Sequence, residues 1–365
     1  MSEPAKAPMK PPLRVRLPAA EWVRVHLLSS PLNIAITVLC AVLLYYTLPP
    51  FIDWAVVHAT WSGESREACN DAGACWVFIR ARSGQFTYGL YPEAQRWRVD
   101  LAFFLLIVLV GSQFIPRLPG RRWIGLVTAT VYPLVCLWLL LGGAFGLPYV
   151  ETRAWGGIML TLFMAVFGGL IAFPLGVLLA LGRQSSLPLI RLLSVMFIEF
   201  WRGVPIITVI FLASILLPII FPQGMEIDKL LRALIGLALV VAAYMAEVVR
   251  GGLQAIPPGQ YEGAQALGLG YWRSMRLVIL PQALRISIPG LVNEFIALLK
   301  NTTLVLIVSL FALLGIVQAA LADPKWVGLT MEAYVFAGLV FWLICFGMSR
   351  WSLRLERRVG AADRR

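Results

Sequence analysis

The side chains most able to do chemistry in this chain sit where they are most expensive. An apolar stretch at 288–320 carries Asn293, Glu294, Lys300, Asn301, Thr302 and Thr303. A charged group at the centre of a membrane helix costs at least ~2.5–3.5 kcal/mol, so its presence signals a task. With a helix beginning near Pro289, Lys300 lies about 11 residues or roughly 17 Å along it, close to the midplane of a ~30 Å hydrocarbon core. Asn293 with Lys300, and Glu294 with Asn301, are spaced i to i+7 and so share faces. Lys300-Asn301-Thr302-Thr303 is also a place for the helix to unwind, since Asn and Thr satisfy freed backbone groups. The chemistry is recognition: a cation and an anion in one patch can complement a solute bearing both charges, or can pair with each other. Two readings follow, a patch lining a cavity or dimer seam and an internally paired structural network.

Other charges gather at the ends of apolar segments. Glu199 and Arg202, in Phe197–Pro205 (FIEFWRGVP), are i, i+3 on one helix and can pair, and a snorkelling interfacial pair explains them equally well. Glu247 and Arg250 close the sixth apolar segment and read as supports for the loop that follows. Bond-making chemistry has no candidates. His26 and His58 flank the first apolar segment, and the sequence has no G-x-x-x-x-G-K-[ST], H-E-x-x-H or G-x-S-x-G run and no Cys/His metal spacing. No catalytic residue, metal ligand or directly bound cofactor is predicted.

The stretch at 256–281, IPPGQYEGAQALGLGYWRSMRLVILP, cannot lie in lipid because it holds Glu262, Gln265, Arg273 and Arg276 among glycines. Pro257-Pro258-Gly259 stops one helix and starts another, and Glu262 suits the positive end of the new helix dipole. Gln260–Leu267 gives roughly two turns, too short to be stable alone, with small residues that invite a partner surface. Gly268-Leu269-Gly270 ends it, Tyr271–Leu280 reads as a second amphipathic helix, and Pro281 closes the unit.

This stretch resembles the EAA loop of bacterial ABC importer permeases, on Glu262, Gly263, Ala264, Gly268, Val278, Leu280 and Pro281. Gly263 and Val278 depart from the usual Ala and Ile. FIEFWRGVP and Leu280–Leu304 resemble the polar amino-acid branch of those permeases, and the whole chain resembles the M-type permease of general L-amino-acid transporters, strongly over 155–351 and weakly over 1–150. The resemblance implies a permease subunit forming half of a translocation pathway by alternating access. It also implies a second, related permease subunit, an ABC ATPase dimer that carries the ATP and Mg and grips the coupling loop, and a periplasmic amino-acid-binding protein. Glu199, Arg202, Asn293, Glu294, Lys300, Asn301, Thr302 and Thr303 become pathway or gate candidates. The alternative is a stand-alone secondary transporter that uses Glu294 and Lys300 for ion coupling.

The elements that must position these residues are membrane helices. Of 365 residues, 59% are hydrophobic and 14% charged, far from the values of soluble domains. The expected fold is an all-α polytopic membrane protein of about eight spans: 32–52, 99–115, 123–145, 157–181, 204–221, 230–249, 288–320 and 331–351. The segment 189–202 reads as an interfacial helix, broken from its span at Gly203 and Pro205. The domain reading is a cytoplasmic arm at 1–31, three extra spans at 32–150 with a polar insert at 53–98, a five-helix permease core at 151–351 with the loop at 257–281, and a basic tail at 352–365. The arm has no cleavable signal, so the first span is retained.

The net charge of +12 does not point to nucleic acid, because the arginines flank apolar spans. Twenty of the 31 Lys and Arg residues fall on the side holding the termini. That asymmetry predicts an inner-membrane protein with both termini and the 257–281 loop cytoplasmic and the insert periplasmic. Of five cysteines, Cys40, Cys136 and Cys345 read as small core residues, and Cys69 with Cys75 as a local disulfide in the insert.

Overall fold

The computed structural model describes residues 18–70, 72–113, 115, 118–220 and 227–362. Residues 1–17 of the N-terminal arm, Arg117, Phe221 at the expected end of the fifth span, and 363–365 of the tail lie outside the described residues. The chain divides into two compact units, residues 1–77 and 78–365.

In the first unit, α1 (Ala19–His26) precedes α2 (Pro31–Ile52), whose N-cap is Ser30: the Asn33 N–H donates to Ser30 Oγ at 3.2 Å. No residue of α2 is buried, including Cys40, so that cysteine is no core residue. Pro49 and Pro50 cannot donate to the helix ladder, and beyond them the helix widens into a π turn at Asp53–Val57. Three tryptophans of the insert pack together, with Trp54 and Trp61 ring centroids 6.2 Å and 5.9 Å from that of Trp76. The Trp76 indole N–H donates to the Ala55 carbonyl at 2.8 Å. Cys69 and Cys75 are joined in a disulfide with Cα atoms 5.4 Å apart, well inside the normal range. Non-reduced peptide mapping of the membrane protein is expected to recover this linked pair. Two free thiols at these positions would contradict it.

Helix α3 (Val77–Ala81) leads into the second unit, which continues with α4 (Ser83–Tyr88), α5 (Arg96–Ser112), α6 (Arg121–Leu141), α7 (Gly157–Arg183), α8 (Pro188–Gly203) and α9 (Ile206–Ile220). It then runs through α10 (Lys229–Gln254), α11 (Pro258–Ala266), α12 (Tyr271–Ser274), α13 (Leu280–Asn301), α14 (Leu313–Leu321) and α15 (Thr330–Ala362). Among the described residues, six helices are long and apolar enough to cross a membrane, or seven if α8 and α9 are one broken span. The remaining expected span, 99–115, falls on α5, whose 17 residues reach only ~25 Å, short of a ~30 Å core. Arg98 of α5 is fully buried, donating to Gln95 Oε1 at 2.8 Å and to the carbonyls of Leu139 (3.2 Å) and Pro148 (2.7 Å). It thereby satisfies a carbonyl in the last turn of α6. That helix stops at Leu141, before the expected 145, where Gly142 takes φ 70°.

Helix α10 is the centre of the core, with 67% of its most apolar window buried, against 17% in α15. Small residues set its distance from α7: a Cβ on Gly176 would lie 2.9 Å from Met245 Cβ and 3.0 Å from the Ala242 carbonyl oxygen. Gly169 likewise accepts the Phe295 ring of α13.

Two expected boundaries move. Pro281 does not close a unit. It lies in the first turn of α13, where a missing N–H costs nothing, and the π turn at Met275–Ile279 absorbs the widening that joins α12 to α13. The expected continuous helix at 288–320 is instead α13, a 3₁₀ segment at Thr302–Val308, a left-handed Ser309 (φ 59°) and α14. Lys300 is thus close to the C-terminal end of a helix that begins at Leu280, not partway along one beginning at Pro289. The tail read as starting at 352 continues α15 as far as Ala362.

Candidate functional site

Helices α8 and α9 meet at 106° across Val204-Pro205, where proline removes an N–H donor and biases its predecessor out of the helical region. Beneath that bend lies a pocket of about 520 Å³ lined by Arg202 and Gly203 of α8, Tyr244 of α10, and Glu294, Ala297 and Asn301 of α13. The i to i+7 pairing of Glu294 with Asn301 therefore does place both on one lining. Asn293 and Lys300 share a different, exposed face and do not line the pocket. Thr302 is buried with its hydroxyl donating to the Leu299 carbonyl at 2.6 Å, and the Thr303 hydroxyl donates to the Lys300 carbonyl at 2.8 Å. Both hydroxyls back-bond to the helix end and ease its change into 3₁₀ turns. The pocket therefore presents one guanidinium, one carboxylate, a carboxamide and a phenol inside an apolar wall.

A charge network closes the pocket on the Arg202 side. Glu247 is its hub: it accepts from Arg183 Nη1 at 2.9 Å and from Arg250 Nη2 at 2.8 Å, with Arg202 Nη1 at 3.9 Å. Glu199 bonds to Arg183 Nη1 at 2.8 Å and stands 4.0 Å from Arg202, so the neighbour on its own helix is the weaker partner. Arg202 is also stacked 5.6 Å from the Tyr244 ring centroid. Glu247 thus does more than support a loop, because it joins α10 to α7 and α8, while Arg250 bonds only to Glu247 and Gln254 of its own helix. Sequence reasoning overlooked Arg183 and Tyr244. Tyr244 was legible as a polar-tipped residue one turn before Glu247, but the approach of Arg183 needs the fold.

Past α10 the chain forms the exposed unit that the sequence marks as a coupling-loop candidate. Helix α11 ends in a Schellman arrangement: Leu269 N–H donates to the Ala264 carbonyl (3.1 Å) and Gly268 N–H to that of Gln265 (2.8 Å). Gly268 supplies the required left-handed residue at φ 72°. Glu262, Gly263 and Gly268 are exposed, Ala264 is buried inward, and Val278 and Leu280 are half-buried where the unit rejoins α13. Tyr261 donates weakly to the Leu253 carbonyl at 3.4 Å, and its burial raises the phenol above its ordinary pKa, keeping it a neutral donor. Gln282 Nε2 donates to Gln260 Oε1 at 2.9 Å, tying α11 to the start of α13. Leu267 and Trp272 remain 80% and 71% exposed, and a Cβ added at Gly259, Gly263, Gly268 or Gly270 would meet nothing within 4 Å. Among the described residues no group of His, Cys, Asp and Glu could hold a metal ion.

Residues 172–361 match the family described as binding-protein-dependent transport system inner membrane component. The chain is 54% identical over 340 residues to the inner membrane amino-acid ABC transporter permease protein YhdY of Escherichia coli (strain K12), covering 93% of both chains. It is 38% identical to the glutamate/glutamine/aspartate/asparagine transport system permease protein BztC of Rhodobacter capsulatus, covering 93% of this chain and 94% of that one. A solved structure titled "Crystal structure of an amino acid ABC transporter with histidines" aligns at a TM-score of 0.48 and 31% identity, over 55% of this chain and 92% of that one. With a helical bundle, a polar pocket under a broken span and an exposed two-turn helix between α10 and α13, the chain belongs to the binding-protein-dependent transport system inner membrane components, the permease subunits of ABC transporters.

Proposed function

We propose that this protein is the transmembrane permease subunit of a binding-protein-dependent ABC importer for L-amino acids, forming half of the pathway in an inner membrane. The observation that carries the reading is the coupling unit: a short helix, capped and braced from within, whose outward side offers Leu267, Trp272 and unobstructed glycines to a partner. An ATPase dimer grips this unit on each of two related permease subunits, and ATP and Mg belong to those ATPases. A periplasmic binding protein delivers the solute on the opposite side. Both termini are cytoplasmic, in keeping with the Lys and Arg asymmetry. The permease core occupies 151–351, and the segment at 32–150, with helices α2, α5 and α6 and the insert at 53–98, is an addition ahead of the matched region at 172–361.

The pocket under the bend is the solute pathway. An amino acid carries an ammonium and a carboxylate, and Glu294 and Arg202 present the complementary charges, with Asn301 and Tyr244 completing the polar lining. Asn293, Lys300, Thr302 and Thr303 lie outside this lining, and Glu199 acts behind it through Arg183. The relatives give no support to a stand-alone secondary transporter.

Copurification tests the coupling assignment. Gly268→Asp puts charge and bulk on the docking surface, and the ATPase is expected to be lost from the purified permease with insertion intact. Gly268→Asn, which tolerates left-handed backbone, is the control for the turn itself. Undiminished ATPase binding and normal uptake in Gly268→Asp would refute the assignment.

A further inference from the structure

The charge network faces a second cleft, on the side away from the pathway pocket, of about 930 Å³ between the coupling unit and the ends of α7, α8 and α10. Its lining includes Arg183, Arg191, Arg250, Gln254, Gln265 and Tyr261, and it contains no carboxylate. Arg183 and Arg250 are partly engaged by Glu199 and Glu247 behind the wall. Arg191 is exposed, and its guanidinium has no ion pair or hydrogen bond among the described residues. With Arg202, four guanidinium groups stand at this end of the bundle against the two carboxylates of the network, so the region keeps an excess of positive charge.

The helix that carries Arg191 supplies a second observation. Along α8, Leu189, Leu193, Met196 and Phe200 follow the i, i+4, i+7, i+11 pattern and are 65%, 57%, 58% and 60% exposed. The helix turns 106° into α9, so it does not continue the crossing direction, and an apolar stripe on such a helix lies in the interfacial layer of a bilayer. Arg191 and Val195, one turn apart, line the cleft instead. One helix thus joins a donor-rich cavity to a lipid-facing stripe.

We propose that this cleft binds the phosphate headgroup of an anionic phospholipid, held by Arg191 with Arg183 and the Gln254 and Gln265 carboxamides, while the acyl chains lie along the apolar stripe of α8. Guanidinium groups donate in pairs to phosphate oxygens, and the amides fill the remaining acceptor sites. A free phosphate shares that chemistry but has no use for the stripe. The site would place a membrane lipid between the coupling unit and the bundle it moves. The proposal rests on residence in a membrane and not on the identity of the transported solute.

The test uses the intact transporter reconstituted in nanodiscs of phosphatidylcholine with or without phosphatidylglycerol, followed by native mass spectrometry of retained lipid. Wild type is expected to retain phosphatidylglycerol in preference to phosphatidylcholine. Arg191→Gln should lower that retention at least about fivefold and Arg191→Lys less, both with assembled protein, since the side chain is exposed. Equal retention by wild type and Arg191→Gln would overturn the proposal. So would binding of inorganic phosphate without a phosphatidylglycerol preference, which identifies a free-anion site. Loss of ATPase subunits rather than lipid from Arg191→Gln would also overturn it, by making the cleft a protein interface.

Discussion

Glutamine at position 294 is expected to leave assembled transporter in the membrane while lowering uptake by roughly one to two orders of magnitude. The exchange keeps size and one acceptor but removes the charge proposed to meet an ammonium in a pocket walled by Val240, Val241 and Leu298. A hydrogen bond to a charged group contributes about 1.5–3 kcal/mol, and each ~1.4 kcal/mol is a factor of ten. Lys300→Met is expected to cost far less, about threefold or under, because α13 carries Lys300 to an exposed face outside the pocket lining. Radiolabelled uptake in proteoliposomes, with basal ATPase activity as the check on assembly, separates the two. Should Glu294→Gln fail to assemble and the double variant Glu294→Gln/Lys300→Met restore it, the pair is structural and the pathway assignment is wrong. Arg202→Gln is a less clean probe, since Arg202 also belongs to the Glu247 network.

A single methyl group at Gly157 is expected to do the greatest damage to the fold. Gly157 opens α7 at φ 64°, its N–H donates to the Phe311 carbonyl at 2.9 Å, and a Cβ there would lie 2.1 Å from the Phe86 carbonyl oxygen. Alanine in left-handed backbone costs about 1–2 kcal/mol, and overpacking against main chain that cannot rotate away adds about 1–3 kcal/mol. The segment at stake is the 78–98 part of the insert, which also packs Phe86 on Phe336 (5.2 Å between centroids) and pairs Arg82 with Asp323. Gly157→Ala should therefore lower the thermal midpoint and the yield of assembled protein sharply. Gly338→Ala on α15, where a Cβ meets nothing within 4 Å, should leave both unchanged or slightly improved. Equal behaviour of the two variants would show that the insert is not fastened through Gly157.

What the sequence determined was whatever depends on local chemistry. Runs of about 20 apolar residues must cross lipid or be buried, and so most spans were legible, as was the break at Gly203 and Pro205, where proline leaves no alternative. Within the 257–281 loop, glycine at position 268, which takes φ 72°, marked the end of α11. Periodicity put Glu294 and Asn301 on one face of α13, because seven residues are close to two helical turns.

What only the tertiary structure decided were meetings between distant segments and boundaries that packing sets. Pro281 was read as a stop, but a π turn ahead of it lets α13 begin there. The 288–320 segment reads as continuous by hydropathy, but Gly157 and Ala312 pair across the fold and hold the chain out of a helix between Val308 and Leu313. Arg202, from a helix about 90 residues away, lines the same pocket as Glu294, whereas Lys300 on its own helix does not. Sequence spacing fixes the direction in which a side chain leaves its own helix, whereas the charge it faces depends on how the helices cross, and in this protein small residues such as Gly169 and Gly176 set that crossing through close contact.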